Sequence, residues 1–438
     1  MNLNKYIKAI NNVNVIKSYG KVTSVVGIRI EGTDRKRSIG SLCYIECEKN
    51  GKRLLAEVVG FNDLKVFLMP LGNMDGIEPG SWIIPLDQKA RVRVGSDLLG
   101  RVIDGLGNPI DGKGPIVYEG YYFLYRQPSN PIKRKIVYEP LDVGIRAING
   151  LLTLAKGQRI GILAGPGLGK STLMGMIAKY AKADVNVIAL IGERGREVKE
   201  FIKKNLGDEG LKKSVIVAAT SDQPPLIRMK AAYIATAIAE YFRDQGKHVI
   251  LMMDSITRFA MSAREIGLAL GEPPTTKGYT PSVFSHLPQL LERTGNKEKG
   301  SITGIYNVLV EGDDLTEPIA DAMQGLLDGH IILSRNLAAE GHYPCIDILR
   351  SVSRLAVDVI TKEHLTLKKR LIKCLSTYKK VEDLINIGAY KKGSNEEIDY
   401  AINMIGKINA YLRQEMEEKV SLEESIEQLR SLFGSENS

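Results

Sequence analysis

Residues 164–171 read Ala164-Gly165-Pro166-Gly167-Leu168-Gly169-Lys170-Ser171. The apolar run Arg159-Ile160-Gly161-Ile162-Leu163 precedes them, and an apolar helical pattern, Thr172 through Tyr180, follows. A strand, a glycine-rich turn and a Lys-Ser pair opening a helix form a cradle for phosphate. Glycines let backbone N–H groups converge on an anion, and the helix start adds free donors and the positive end of its dipole. On this reading residues Gly165, Pro166, Gly167, Leu168, Gly169, Lys170, Ser171 and Thr172 wrap a nucleotide. Lys170 reaches the β/γ-phosphates and the Ser171 hydroxyl ligates Mg²⁺. The pattern usually starts with glycine; here Ala164, the mildest replacement, stands in that position.

The chain has 438 residues, enough for two or three domains, with the hydrophobic (44%) and charged (25%) fractions of an ordinary globular protein. No apolar run approaches the ~20 residues of a membrane helix. The start, Met1-Asn2-Leu3-Asn4-Lys5-Tyr6, lacks the apolar core of a signal peptide, so a cytoplasmic protein is expected. The net charge of +9 is spread along the chain, the longest basic cluster being Arg35-Lys36-Arg37. That fits lysine-rich solvation with weak attraction to an anionic membrane better than a nucleic-acid arm. Aromatic residues are 6% of the chain, and no basic-aromatic surface is legible. The four cysteines, Cys43, Cys47, Cys345 and Cys374, have no zinc spacing and read as reduced and structural.

Taken in order, Leu3, Tyr6, Ile7 and Ile10 fall at i, i+3, i+4 and i+7, which predicts a short amphipathic helix over Met1–Asn14 that binds a partner or caps the next domain. From Lys21 to Gln88, short Val/Ile/Leu runs alternate with Gly, Asn and Asp turns, the pattern of a small β-barrel. Residues 91–115 are dense in turn signals, and Tyr118–Pro140 reads as irregular. Five buried strands are then expected at Ile160–Leu163, Val187–Ile191, Val215–Ala219, Val249–Met253 and Ile302–Val310, followed by another at His330–Ser334. Helical patterns at Thr172–Lys182, Glu197–Asn205, Pro225–Gln245 and Ser282–Thr294 separate them, which implies a mostly parallel sheet with helices on both faces. After Asp358 the pattern is helical. Ser394 to Glu397 reads as a capping box ahead of the stripe Ile398, Ala401, Ile402, Ile405, Ile408 and Leu412, and Leu422–Phe433 as a last helix. The division expected is an N-terminal partner-binding segment (1–20), a β-barrel (21–90), a nucleotide-binding α/β domain (91–358) and a helical domain (359–438).

Two strands end in carboxylates. His248-Val249-Ile250-Leu251-Met252-Met253-Asp254 brings Asp254 to the edge where a phosphate-bound Mg²⁺ and its waters would sit. Ile188-Ala189-Leu190-Ile191-Gly192-Glu193 brings Glu193 to the same edge, suited to orienting an attacking water, with Arg194, Arg196 and Glu197 as a charged shell. A solvated salt-bridge cluster is the competing explanation of that charge run.

Four segments together give a specific resemblance: residues 164–171, Gly192-Glu193-Arg194-Gly195-Arg196-Glu197, Leu251-Met252-Met253-Asp254-Ser255, and Gly271-Glu-Pro-Pro-Thr-Thr-Lys-Gly-Tyr-Thr-Pro-Ser-Val-Phe284. They resemble the type III protein-export ATPases, relatives of the rotary ATP synthase catalytic subunits, with the flagellar branch nearest. The likeness runs from about residue 20 to about 415, including Asp104-Gly-Leu-Gly-Asn-Pro-Ile-Asp-Gly112 and Ile387-Gly-Ala-Tyr-Lys-Lys-Gly-Ser394.

The resemblance implies a RecA-like core between a barrel and a helical domain, and Mg²⁺-dependent ATP hydrolysis by a ring, as a hexamer. It implies that Glu193 orients water, with Lys170 and Arg194 in the catalytic group. It also implies that Arg258 lies near the γ-phosphate, that Tyr343 stacks on adenine and that Arg354 is a finger supplied to the neighbouring subunit. A finger given in trans ties turnover to assembly, because an isolated subunit lacks that transition-state charge. Leu268–Pro274 and Glu311–Pro318 resemble loops lining a central pore. The partners implied are an export-apparatus regulator, a central stalk protein, chaperone–substrate complexes and a membrane export gate, with peripheral membrane association and no nucleic acid. The competing readings are a virulence-type secretion ATPase, a catalytic subunit of a rotary ion-translocating ATPase and, more distantly, a ring-shaped RNA translocase.

Overall fold

The computed structural model describes residues 19–433 apart from 35–36, 47–50, 64, 129, 131, 133 and 137–138. The expected helix over Met1–Asn14 and the reading of Cys47 lie outside the described residues. The chain divides into two compact units, Met1–Ala90 with Glu265–Pro273, and Arg91–Arg264 with Pro274–Ser438.

In the first unit six antiparallel strands close a barrel: β1 (Gly20–Val26), β2 (Arg29–Thr33), β3 (Ser41–Glu46), β4 (Arg53–Asn62), β5 (Lys65–Pro70) and β6 (Trp82–Lys89), in the order β1-β2-β5-β4-β3-β6. The period-two alternation of a strand turns Val22, Ile30, Cys43, Ile45, Ala56, Val58, Val66, Leu68 and Ile83 into one buried cluster. Closure removes the open edges that a six-stranded sheet would otherwise present. At Gly32 a Cβ would lie 2.2 Å from the Ile83 Cδ1 and 2.8 Å from the Lys21 carbonyl oxygen, and the second, a backbone atom, cannot turn aside, so the close approach favours glycine.

The second unit begins with β7 (Arg91–Val94), β8 (Val102–Asp104) and β9 (Gly120–Phe123). β7 and β9 pair as an antiparallel ribbon, so the stretch expected to be irregular contains a strand. Its Tyr-Tyr-Phe run has the aromatic strand preference that reveals it, masked by the prolines that follow. One face of this ribbon shows exposed Tyr121 and Phe123 beside Arg91 and Arg93, with the Arg91 guanidinium 4.0 Å from the Tyr121 ring centroid. A small basic-aromatic surface therefore exists where the sequence showed none.

After the short pair β10 (Pro140–Leu141) and β11 (Leu154–Ala155) come β12 (Arg159–Ala164), β13 (Val185–Ile191), β14 (Ser214–Ala219), β15 (His248–Asp254), β16 (Gly295–Asn296), β17 (Ser301–Leu309), β18 (Gly329–Ile332) and β19 (Val352–Ser353). The main sheet runs β19-β18-β12-β17-β15-β13-β14-β8, with β16 pairing β17. All neighbours from β18 to β8 are parallel; β19 and β16 run antiparallel. The central strands β13 and β14 are buried at every position, as strands covered on both faces must be. All six expected core strands appear, within one or two residues of their expected ends.

The helix expected over Glu197–Asn205 is instead three pieces, Gly195–Glu200, a π-helical turn Phe201–Leu206, and Gly207–Lys212. Asn205 packs so closely on the phosphate-loop helix Lys170–Tyr180 that a Cβ at Gly175 would lie 2.7 Å from the Asn205 Cβ. A π-turn changes the pitch locally and brings Asn205 onto that helix.

The C-terminal helices Lys362–Asn386, Glu396–Leu412 and Leu422–Leu432 share one continuous core with this sheet. His364 Nε2 lies 2.7 Å from the Gly150 carbonyl, and Arg146 forms an ion pair with Glu418. The cap of Glu396–Leu412 is Asn395, not Ser394. The Asn395 Oδ1 accepts from the Glu397 and Ile398 N–H groups at 3.0 and 3.2 Å, while Ser394 donates to the Lys391 carbonyl. Asparagine is as good a cap as serine and stands one residue closer. A capping box does occur one helix later, between Ser421 and Glu424. Cys43, Cys345 and Cys374 are buried and unpaired with one another. No described helix is long and apolar enough to cross a membrane.

Candidate nucleotide site

Three parallel strands deliver the site. β12 ends at Ala164 and opens into the glycine loop, β13 ends just before Gly192-Glu193, and β15 ends in Asp254. Because β12, β17, β15 and β13 are consecutive neighbours, these three termini meet at the carboxyl edge of the sheet, where open α/β sheets bind ligands. Gly167 and Gly169 have φ of 79° and 75°, which residues with a Cβ rarely adopt, and a Cβ at either would meet open space. The loop thus presents backbone rather than side chains. Ala164 is buried and its carbonyl accepts the Val310 N–H at 3.0 Å, a role that needs no glycine.

Lys170 Nζ lies 2.7 Å from Asp254 Oδ1, with side-chain exposures of 12% and 4%. Oδ1 is buried and has no well-aligned hydrogen bond, so the ion pair leaves acceptor capacity unused. Half-buried Glu193 faces the same pair. Burial and the Asp254 carboxylate push its pKa up to about 8, against the opposing pull of Lys170. Glu197 shares a hydrogen bond with Glu193, and that bond holds the Glu197 carboxyl below its ordinary range. Sequence reasoning placed Glu197 only in a charged shell; Glu193 stands ahead of the helix Gly195–Glu200 and its cap Arg194, so no helical spacing announced that the two carboxyls meet. Two carboxyls sharing one proton beside a third carboxylate form an acid–base group set to change ionisation when positive charge arrives.

The other expected residues fall in different settings. The Arg258 side-chain stem packs on Gly192, whose φ is 68°, and its buried Nε has no partner. Arg194 is exposed and 3.9 Å from Glu197. The Thr172 hydroxyl accepts from Asn205 at 3.4 Å, while Ser171 is exposed. Tyr343 is 48% exposed, and its carbonyl accepts the Gln414 N–H at 2.9 Å. Two residues on, the Cys345 thiol donates to the Leu168 carbonyl at 3.1 Å, tying the Tyr343 segment to the phosphate loop. That contact was invisible in the sequence, where Cys345 read as core.

Arg354 is not brought to this group. β19 runs antiparallel to β18, with Ser353 opposite Gly329, so Arg354 emerges at the amino edge of the sheet and donates to the Gln324 carbonyl at 3.2 Å. The phosphate loop leaves the carboxyl edge, five residues up β12, roughly 16 Å away at ~3.3 Å per residue. Arg354 therefore does not serve the phosphate loop of its own chain.

Among the described residues no three His, Cys, Asp or Glu side chains form a ready metal cage. The fit to Mg²⁺ rests instead on the unused Asp254 Oδ1 and the exposed Ser171 hydroxyl, a sparse donor set suited to a cation that keeps waters and phosphate oxygens.

Family models match three consecutive parts of the chain. They are the beta-barrel domain of the ATP synthase alpha/beta family over residues 22–87, the nucleotide-binding domain of that family over 144–353, and the T3SS EscN ATPase C-terminal domain over 360–431. The chain is 54% identical to the flagellum-specific ATP synthase of Bacillus subtilis over 100% of both sequences. It is 48% identical to the type 3 secretion system ATPase of Xanthomonas euvesicatoria, covering 95% of this chain and 94% of that one. The structure of assembled EscN from enteropathogenic E. coli superposes with a TM-score of 0.90 at 47% identity, covering 94% of this chain and 99% of EscN. EscN in complex with its central stalk EscO gives 0.87 at the same identity and coverage. With barrel, sheet and helical region all matched in order, the chain belongs to the type III protein-export ATPases of the ATP synthase alpha/beta family.

Proposed function

We propose that this P-loop ATPase energises flagellar-type protein export as a hexameric ring whose active sites lie between subunits. The observation that carries the reading is the meeting of Lys170, Asp254 and Glu193 beyond the ends of three strands, with Arg354 on the opposite edge. The N–H groups of residues 165–171 and the Lys170 ammonium hold the phosphates. An incoming phosphate competes for the ammonium that rests on Asp254. Ser171 and Asp254 would hold Mg²⁺, which neutralises charge on the phosphate oxygens.

Glu193 orients water in line with the β–γ bridging oxygen. The water oxygen bonds to the γ-phosphorus, the bond to the bridging oxygen breaks, and its electron pair leaves with ADP. The water proton passes toward Glu193, which must be ionised to accept it. Arg258 lies on the Gly192–Glu193 turn to meet the γ-phosphate, and Arg194 extends that charge outward. Arg354 of the adjacent subunit supplies the remaining positive charge, and Tyr343 offers its exposed ring to adenine.

On the division at residues 20, 90 and 358, the N-terminal segment binds a partner and the α/β domain between the barrel and the helical domain carries catalysis. By analogy with the EscN–EscO complex, a central stalk protein is the partner of the ring interior. A regulator at the N-terminal segment, chaperone–substrate complexes, an export gate and peripheral membrane association complete the proposal. Lys170→Ala is expected to remove ATP binding measured with a fluorescent analogue in Mg²⁺. Binding within twofold of the parent would refute the phosphate assignment. ATPase activity stimulated by RNA would favour the translocase reading instead.

A further inference from the structure

Three loops leave the carboxyl ends of adjacent strands β18, β12 and β17, and they are joined by more than the sheet. The Leu333 N–H donates to the Leu163 carbonyl at 3.0 Å, and the Val310 N–H donates to the Ala164 carbonyl at the same distance. Beyond these bonds, Arg335, the first residue of the short helix Arg335–Ala339 that follows β18, forms an ion pair with Asp313, at the end of the turn Glu311–Asp313 after β17, Nε to Oδ2 at 3.4 Å. The pair closes across the first glycine of the phosphate loop. A Cβ at Gly165 would lie 2.9 Å from Arg335 Nη2 and 3.1 Å from Asp313 Oδ1, so both side-chain tips rest on the Gly165 backbone.

The backbone is bent to make this contact. Gly312 and Asp313 both have positive φ, 62° and 59°, and Asp is one of the few side chains that tolerates that region. A cavity of about 80 Å³ beside the pair, lined by Gly165, Asp313, Arg335, Asn336 and Arg350 among others, leaves it room to shift. The connection continues outward, because Asp314 lies 3.5 Å from Lys277 on the turn Thr276–Gly278.

We infer that Asp313 and Arg335 are a positioning clamp on the phosphate loop, which couples nucleotide occupancy to the loop 311–317. The clamp sets where Gly165 starts the cradle, so it acts on phosphate binding through the backbone and does not touch the reacting atoms. By reciprocity, whatever displaces the 311–317 loop loosens the cradle, and a filled cradle steadies that loop. The inference rests on the reading of residues 164–171 as a nucleotide cradle.

The test is a double-mutant cycle in the full-length protein with Asp313→Asn, Arg335→Gln and the double variant. Asparagine keeps the tolerance for positive φ, so the first change removes only charge. The readouts are affinity for a fluorescent ADP analogue, KM and kcat for ATP, and hydrogen exchange of residues 311–317 with and without ADP. Each single change should weaken ADP binding and raise KM by about two- to fivefold, the range of a half-exposed ion pair, with kcat unchanged. The double variant should be no worse than either single one, Arg335→Lys should retain most of the affinity, and ADP should protect 311–317 only in the parent and Arg335→Lys.

Unchanged affinity in the single variants, additive losses in the double, or parallel falls in kcat and thermal midpoint without rescue by Arg335→Lys would overturn the clamp. Lys170→Ala run alongside separates the two readings. If it binds ADP like the parent, the cradle itself is misassigned; if it loses ADP while the clamp variants do not, only the clamp fails.

Discussion

Replacing Glu193 with glutamine should stop turnover and at the same time stabilise the nucleotide-free protein, increasingly so as pH rises. In the free site the Glu193 carboxyl titrates at about 8 instead of 4.5, chiefly from burial and then from Asp254. Between those two pH values the folded protein holds a proton that the unfolded chain has released, so stability falls as pH rises through the window. The favourable contribution of the neutral carboxyl is complete below about pH 4.5 and is lost as the pH passes about 8. At about 1.36 kcal/mol per pH unit, the full interval sets an upper bound near 5 kcal/mol. Between pH 6 and pH 8 that slope gives at most about 3 kcal/mol, and Glu197, which shares the proton, lowers it further. Glutamine keeps the shape and removes the charge. Thermal unfolding at pH 6 and pH 8.5, without nucleotide, should show a Glu193→Gln midpoint that gains on the parent by up to about 3 °C at the higher pH, each kcal/mol moving the midpoint of a chain this long by about 1 °C. A difference that is flat across that interval, or that shrinks as the pH rises, would refute the claim that Glu193 is held neutral among Asp254, Lys170 and Glu197.

Two further substitutions test the frame around the site. Gly150→Ala would set a Cβ 2.0 Å from the Tyr411 hydroxyl, so it should cost about 1–3 kcal/mol by overpacking and loosen the helical region; Tyr411→Phe in the same chain should recover part of it, as read by urea unfolding. Arg293→Met breaks a buried pair with Glu240, 2.8 Å apart and 1% and 5% exposed, and should cost about 3–5 kcal/mol, whereas Arg293→Met with Glu240→Leu should recover most of that stability.

The phosphate loop, the positions of the core strands and the barrel were legible because each rests on a local signal: glycines at fixed offsets, apolar runs of strand length, alternation between turns. Glu193 and Asp254 were legible for the same reason, as carboxylates that end apolar strands. The Glu193–Glu197 hydrogen bond and the Cys345 contact with Leu168 were not, because they depend on side-chain direction and on a return of the chain some 177 residues later. The π-turn at Phe201–Leu206 answers to the packing of Asn205 on Gly175, a tertiary demand that overrides helix periodicity. Asn395 rather than Ser394 caps its helix because either residue suits the position and only the backbone trajectory chooses. The basic-aromatic face of the β7–β9 ribbon arises from cross-strand pairing of Arg91 with Phe123 and Arg93 with Tyr121, residues far apart in sequence, and composition averages it away.

The most direct test of a site shared between subunits uses two inactive variants together. Lys170→Ala lacks the phosphate grip but keeps Arg354, and Arg354→Ala binds nucleotide but has no arginine to give. Each alone should be inactive, and a pre-assembled equal mixture should recover up to about a quarter of the parent ATPase activity, the fraction of interfaces that pair an intact phosphate loop with an intact arginine. A mixture as inactive as its components, or Arg354→Ala turning over like the parent on its own, would contradict the account.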